Sequence, residues 1–228
     1  MLLVKKFIKT PHLLLDEKKR YENVHKFIAG KNILDFGCGW GYFLFLATKD
    51  AKKCNGIELS KERINFIKKN FKKIIVKNNI NNFSNKFDLI TMFHVLEHIP
   101  NQVKTLKIIR EKIKKKGKVI VEVPSAQDFL ISIKELPEFR KFTFWSEHLV
   151  LHTEKSLKKV LISSGFKKVK IKYVQRYGYA NHLGWFLTKR PGGHEYFKKY
   201  SDKNTENSYA EHLIKRKQTD TLIGIGEN

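Results

Sequence analysis

Residues 33–41, Ile-Leu-Asp-Phe-Gly-Cys-Gly-Trp-Gly, place an acid and three alternating glycines where a buried strand turns into a helix. Gly37, Gly39 and Gly41 let the backbone bend sharply and let a ligand press against it with no Cβ in the way. The helix start near Tyr42 offers unpaired N–H groups to an anion or carboxylate. A second acid, Glu58, closes the run 53–57, where an α/β nucleotide-binding fold sets a carboxylate on a ribose diol. The pairing indicates a nucleoside cofactor. It does not indicate a dinucleotide: G-x-G-x-x-G starting at Gly37 would need glycine at position 42, and Tyr42 stands there.

The run from Asp35 to Gly41, D-x-G-x-G-x-G, resembles motif I of the class I S-adenosylmethionine-dependent methyltransferases. The resemblance continues at matching distances through Glu58, Lys86-Phe-Asp-Leu-Ile90, His94-Val-Leu-Glu-His-Ile-Pro100 and the turn and strand 116–124. It implies S-adenosyl-L-methionine as cofactor and S-adenosyl-L-homocysteine as product. The implied contacts are Asp35, Gly37, Cys38, Gly39, Trp40 and Gly41, then Glu58, Leu59, Ile80, Phe93 and His94. Where the family often carries an acid for the adenine amino group, this chain has Asn79, whose amide oxygen accepts the same hydrogen bond. Further on, a histidine followed a few residues later by Thr153-x-x-Ser156-Leu157, then a helix ending in Gly165-Phe166, is similar to small-molecule methyltransferases of the ubiquinone-biosynthesis type. The layout of 176–194, with Glu122-Val-Pro124 and Trp145-Ser-Glu-His148, resembles methyltransferases of bacterial surface-polysaccharide and glycosylation clusters. That second resemblance implies a small polar acceptor, sugar-based or nucleotide-linked.

Methyl transfer to an alcohol needs a group to take the proton as the methyl arrives, and open α/β sheets bind ligands at the carboxyl edge. Imidazole titrates near neutrality, so His148, among the aromatics after the fifth strand, is the first expectation for a general base. His94, after the fourth strand, is the second. Glu122, Trp145, Tyr177, Asn181 and His182 are the further candidates for acceptor binding, with His148. Glu97 and His98 read as residues that cap and pack the following helix. No cluster of Asp and His at ligand spacing is visible, so no metal is expected.

To position these residues the chain needs an α/β fold. Alternating signals place strands near 31–36, 53–58, 73–76, 87–93, 117–123, 166–174 and 220–226, and helices near 16–29, 41–49, 60–70, 101–115 and 153–164. The expectation is a Rossmann-like, seven-stranded, mostly parallel sheet with helices on both faces and one domain over 1–228. Within it, 1–30 forms a cap helix, 31–124 the cofactor core and 125–228 the substrate side. A helical insertion at about 175–219 precedes the last strand and leaves a lid or a homodimer contact open.

Composition sets bounds. The two cysteines, Cys38 and Cys54, form no disulfide framework, and Leu2-Leu-Val4 is too short an apolar stretch for a secretory signal, so a cytoplasmic protein without a membrane span is expected. The net charge of +24 invites nucleic acid, but it comes from lysines spread through nearly every helix and loop. Neither an Asp/Asn-Pro-Pro-Tyr/Phe run nor a Pro-Cys pair appears, so nucleic acid is not the expected acceptor. N-methylation of a sugar amine, RNA methylation and a non-catalytic binding subunit remain the alternatives.

Overall fold

The computed structural model describes residues 11–144 and 147–228, with the side chains of 11–15 left out of the description. Strands β1 (Asn32–Phe36), β2 (Lys53–Ile57), β3 (Ile74–Lys77), β4 (Phe87–Phe93), β5 (Ile113–Pro124), β6 (Lys167–Val174) and β7 (Thr221–Glu227) form one sheet in the order β3-β2-β1-β4-β5-β7-β6. The first five are parallel, and β7 runs antiparallel to both β5 and β6. The fold is Rossmann-like, as the alternation predicts. Central strands read as unbroken apolar runs because both faces are covered: Leu89, Ile90 and Met92 in β4, and Val119, Ile120, Val121 and Val123 in β5, are buried.

Two apolar clusters flank the sheet. One joins it to α4 (Gln102–Glu111) and α7 (Glu154–Ser163) through Leu106, Ile109, Leu157 and Leu161. The other joins it to α1 (Pro11–Val24), α2 (Tyr42–Ala47) and α3 (Lys61–Asn70) through Val24, Phe43, Leu44 and Ile67. Helix α7 starts on a reciprocal cap, as its hydroxyls suggest: Ser156 N–H donates to Thr153 Oγ1 at 3.1 Å and Thr153 N–H to Ser156 Oγ at 2.9 Å. A third, smaller cluster of Leu130, Leu136, Phe139 and Trp185 unites α5 (Phe129–Ser132), α6 (Pro137–Thr143) and α8 (Tyr179–Thr188). The insertion continues through α9 (Gly193–Tyr196) and α10 (Lys203–Lys215).

Several boundaries differ from the sequence reading, and strand β5 starts at Ile113 rather than 117. Helix α4 stops at Glu111 rather than 115, because the next residue is already drawn to the sheet: Phe87 N–H donates to Lys112 O at 2.8 Å and Lys112 Nζ donates to Phe83 O at 2.7 Å. Helix α1 starts at Pro11 and ends at Val24, followed by a 3-10 turn over His25–Phe27. Among the described residues no helix is long and apolar enough to cross a membrane.

Candidate active site

The glycine turn lies at the carboxyl end of β1, tied to β2 by Gly37 N–H and Cys38 N–H, which both donate to Ile57 O at 2.9 Å. Gly37 and Gly39 sit at φ +84° and +54° for different reasons. A Cβ on Gly37 would stand 2.4 Å from Val95 Cγ2, whereas one on Gly39 would meet nothing within 4 Å. Gly37 therefore serves packing, and Gly39 keeps open space at the turn. Asp35 is buried and accepts from Thr91 Oγ1 at 2.7 Å; burial pushes its carboxyl up to about 7. Desolvation likewise pushes the Cys38 thiol far up, so this cysteine is inert packing.

Around this turn opens a cleft of about 290 Å³, lined by Glu17, Arg20, Asp35, Gly37, Cys38, Gly39, Trp40, Phe93 and His94 among others. Glu58 is buried at the end of β2; its Oε1 accepts Leu59 N–H and Ser60 N–H at 2.9 Å, and its Oε2 lies 3.6 Å from Arg63 Nη1. The Leu59 side chain is exposed, Ile80 is buried, and Gly41 is the left-handed N-cap of α2. Asn79 Oδ1 accepts Asn81 N–H at 2.9 Å and so caps the 3-10 turn Ile80–Asn82.

His94 follows β4 at φ +52°, a left-handed conformation uncommon outside glycine and frequent at functional sites. Its Nδ1 lies 3.1 Å from Glu97 Oε1, and its Nε2 lies 2.5 Å from Arg176 Nη1 and 3.2 Å from Glu122 Oε1. Nδ1 faces a carboxylate that only accepts, whereas Nε2 stands between Arg176, which only donates, and Glu122, which only accepts. Arg176 also donates to Asp16 at 2.7 Å, and Arg20 donates to Glu122 at 2.9 Å and to Glu17 at 2.8 Å. Burial alone would raise the Glu122 carboxyl. The imidazole of His94 and the guanidinium groups of Arg20 and Arg176 outweigh it and hold Glu122 well below the usual carboxylate range. This network straps α1 across the carboxyl edge of the sheet.

Beyond His94 lies a second, largely apolar cavity of about 610 Å³, walled by Phe139, Phe142, Trp185, Tyr177, Asn181, His148 and Arg176 among others. Among the described residues His94 is the one lining both spaces. His148 donates through Nδ1 to Thr143 O, 2.9 Å away, and Asn181 Nδ2 faces His194 Nδ1 at 3.1 Å. Glu122 lies outside this wall, in the strap. His182 is placed elsewhere too: it is buried, stacked on Phe129 and bonded through Nδ1 to the Tyr209 hydroxyl at 2.8 Å, and desolvation pushes it down to about 4. Trp145 lies outside the described residues.

Sequence reasoning missed Glu17, Arg20 and Arg176, which carry no local motif and become a site only through packing. It also missed that Glu97, His98 and His148 bring one ligand atom each within 4.8 Å of the others, although 97 and 148 are far apart in the chain.

A family model described as "Methyltransferase domain" matches residues 9–171, well over half of the chain. A ubiquinone biosynthesis O-methyltransferase of Nitrosococcus oceani is 30% identical over 108 residues, covering 43% of this chain and 46% of that protein. A tRNA U34 carboxymethyltransferase of Aliarcobacter butzleri is 26% identical over 156 residues, covering 63% and 50%. The chain thus spans about half the length of the curated relatives it matches. A solved SAM-dependent methyltransferase from Archaeoglobus fulgidus superposes with a TM-score of 0.65 at 19% identity, covering 100% of this chain and 98% of the other; the likeness is one of fold.

Proposed function

The chain belongs to the methyltransferase-domain family, and on that premise we propose that it moves a methyl group to a hydroxyl of a small acceptor held in the 610 Å³ cavity. The observation that carries the proposal is His94, set between the glycine-turn cleft and that cavity. The cofactor is S-adenosyl-L-methionine, and the cleft fits it: Gly39 leaves open space at the turn, and Arg20 and Glu17 offer opposite charges to an amino-acid end. Bound there, it supplies a methyl on a sulfonium leaving group, so the protein's task is alignment and the exclusion of water. Glu58 Oε2 would meet the ribose, with Arg63 turned aside. Glu97 holds Nδ1–H of His94, which leaves Nε2 to take the acceptor's proton once Arg176 yields that position.

The acceptor reading is finer than the family. The rings of Phe139, Phe142, Trp185 and Tyr177 suit a flat apolar face, which an arene offers as a pyranose does, so the wall fits the sugar-based acceptor expected from the sequence without favouring it, and neither curated relative is named for a sugar. The name of the Nitrosococcus relative supports oxygen over nitrogen. A nucleic-acid acceptor is the second reading, favoured by the net charge of +24 and by the Aliarcobacter relative.

The test is methyl-labelled S-adenosylmethionine with nucleotide-linked sugars, hydroxylated arenes and transcribed tRNA, with products read by mass spectrometry. Label on a small hydroxyl compound, lost in His94→Ala, is the expected result. Label on tRNA alone would replace the acceptor reading, and full turnover in His94→Ala would refute the base.

A further inference from the structure

Glu97 is fully buried yet uses half of its carboxylate. Oε1 lies 3.1 Å from His94 Nδ1, whereas Oε2 is enclosed without a hydrogen-bond partner. Only Oε2 and His152 Nε2 are buried in this state among the described side-chain atoms. An ionised oxygen shut from water without a donor is costly and calls for a cation.

Two imidazoles stand beside the same carboxylate. One ligand atom each from Glu97, His98 and His148 lies within 4.8 Å of the others, and the two rings are 5.1 Å apart between centroids. The backbone brings them together: Leu149 N–H and Val150 N–H donate to Glu97 O at 3.0 and 3.3 Å. Each ring also meets a backbone carbonyl through Nδ1, His98 at Glu147 O, 2.6 Å, and His148 at Thr143 O, 2.9 Å. A carbonyl only accepts, so each ring carries a proton on Nδ1, which leaves Nε2 as the nitrogen to offer a metal ion. Metal-ligating histidines are commonly oriented in this way, the second nitrogen donating to a carbonyl.

We propose that Glu97, His98 and His148 form a binding site for one divalent transition-metal ion. Two imidazoles and a carboxylate suit Zn²⁺ or Co²⁺ better than Ca²⁺ or Mg²⁺, which prefer all-oxygen shells. Three protein ligands leave coordination positions open. Because His148 also lines the 610 Å³ cavity, an ion held there would adjoin the acceptor, a consequence that rests on the function proposed above. The same carboxylate would then bind the ion through Oε2 and orient His94 through Oε1.

The experiment uses the full chain, free of any histidine tag and stripped with chelator, titrated with Co²⁺ by visible absorption and with Zn²⁺ by calorimetry. One ion per chain is expected, with affinity at least tenfold weaker in Glu97→Gln and in His148→Ala. S-adenosylhomocysteine binding by His148→Ala should stay within about twofold and serves as the folding control. Should Glu97→Gln fail to fold, His148→Ala on its surface loop decides alone. No ion bound by a chain that binds S-adenosylhomocysteine overturns the site, as does unchanged affinity in His148→Ala. One ion bound by a chain that ignores S-adenosylhomocysteine supports the site and sinks the methyl-transfer reading instead.

Discussion

Replacing Glu122 with glutamine removes one negative charge from the strap and keeps its shape. Glu122 is 2% exposed, bonded to Arg20 at 2.9 Å and faced by His94 at 3.2 Å, with the Arg176 charge close by. Breaking a buried ion pair from one side costs about 3–5 kcal/mol. The low end applies, because glutamine still accepts from Arg20, Arg20 keeps Glu17 at 2.8 Å and Arg176 keeps Asp16 at 2.7 Å. About 3 kcal/mol corresponds to a fall of about 6–12 °C in Tm for a chain of this size. The sign with pH follows from the depressed folded-state pKa. The stabilisation is complete above the ordinary value of 4.5 and is lost as pH falls through the lower folded value. The gap between wild type and Glu122→Gln should therefore hold at neutral pH and narrow only below about pH 4.5. Thermal melts from pH 4 to 8, with and without S-adenosylhomocysteine, measure it. Since Arg20 and Glu17 also line the glycine-turn cleft, S-adenosylhomocysteine should bind more weakly to the variant. A fall below about 2 °C at pH 7 would refute the reasoning, showing that the strap contributes less than about 1 kcal/mol.

Other substitutions separate packing from binding. Gly37→Ala should destabilise strongly through the Val95 clash, while Gly39→Ala should cost only about 1 kcal/mol of left-handed strain and yet weaken S-adenosylhomocysteine at least tenfold by calorimetry. Thr153→Ala should cost about 1 kcal/mol in denaturant melts by removing the α7 cap. His182, pushed down to about 4, stays neutral while the unfolded chain protonates near its ordinary 6.5, so stability should fall by about 3 kcal/mol as pH drops from 6.5 to 4. In His182→Gln that part of the slope should vanish, and an unchanged slope would place the effect on another group.

Local constraints were legible from the chain and tertiary ones were not. Motif I could be read because Gly37, Gly39 and Gly41 all need φ > 0 within one turn, and Glu58 because it closes a strand. The strap was hidden, since it joins Arg20 to Glu122 across 102 positions and Arg176 to Asp16 across 160. Asn181 and His182 show why residue type misleads: neighbours on α8 point about 100° apart, so Asn181 reaches the cavity while His182 faces Phe129 and Tyr209. The metal-ligand geometry was equally invisible, because Glu97 and His98 sit on one turn and His148 arrives from a loop after α6.

The most direct measurement is a calorimetric titration of the folded chain with S-adenosylhomocysteine, repeated in Gly39→Ala and His94→Ala. One site per chain is expected, with an affinity at least tenfold weaker in Gly39→Ala and reduced less in His94→Ala, whose side chain lines both the cleft and the acceptor cavity. A folded wild-type chain that takes up no S-adenosylhomocysteine, or a Gly39→Ala variant that binds it as tightly as wild type, would contradict the account.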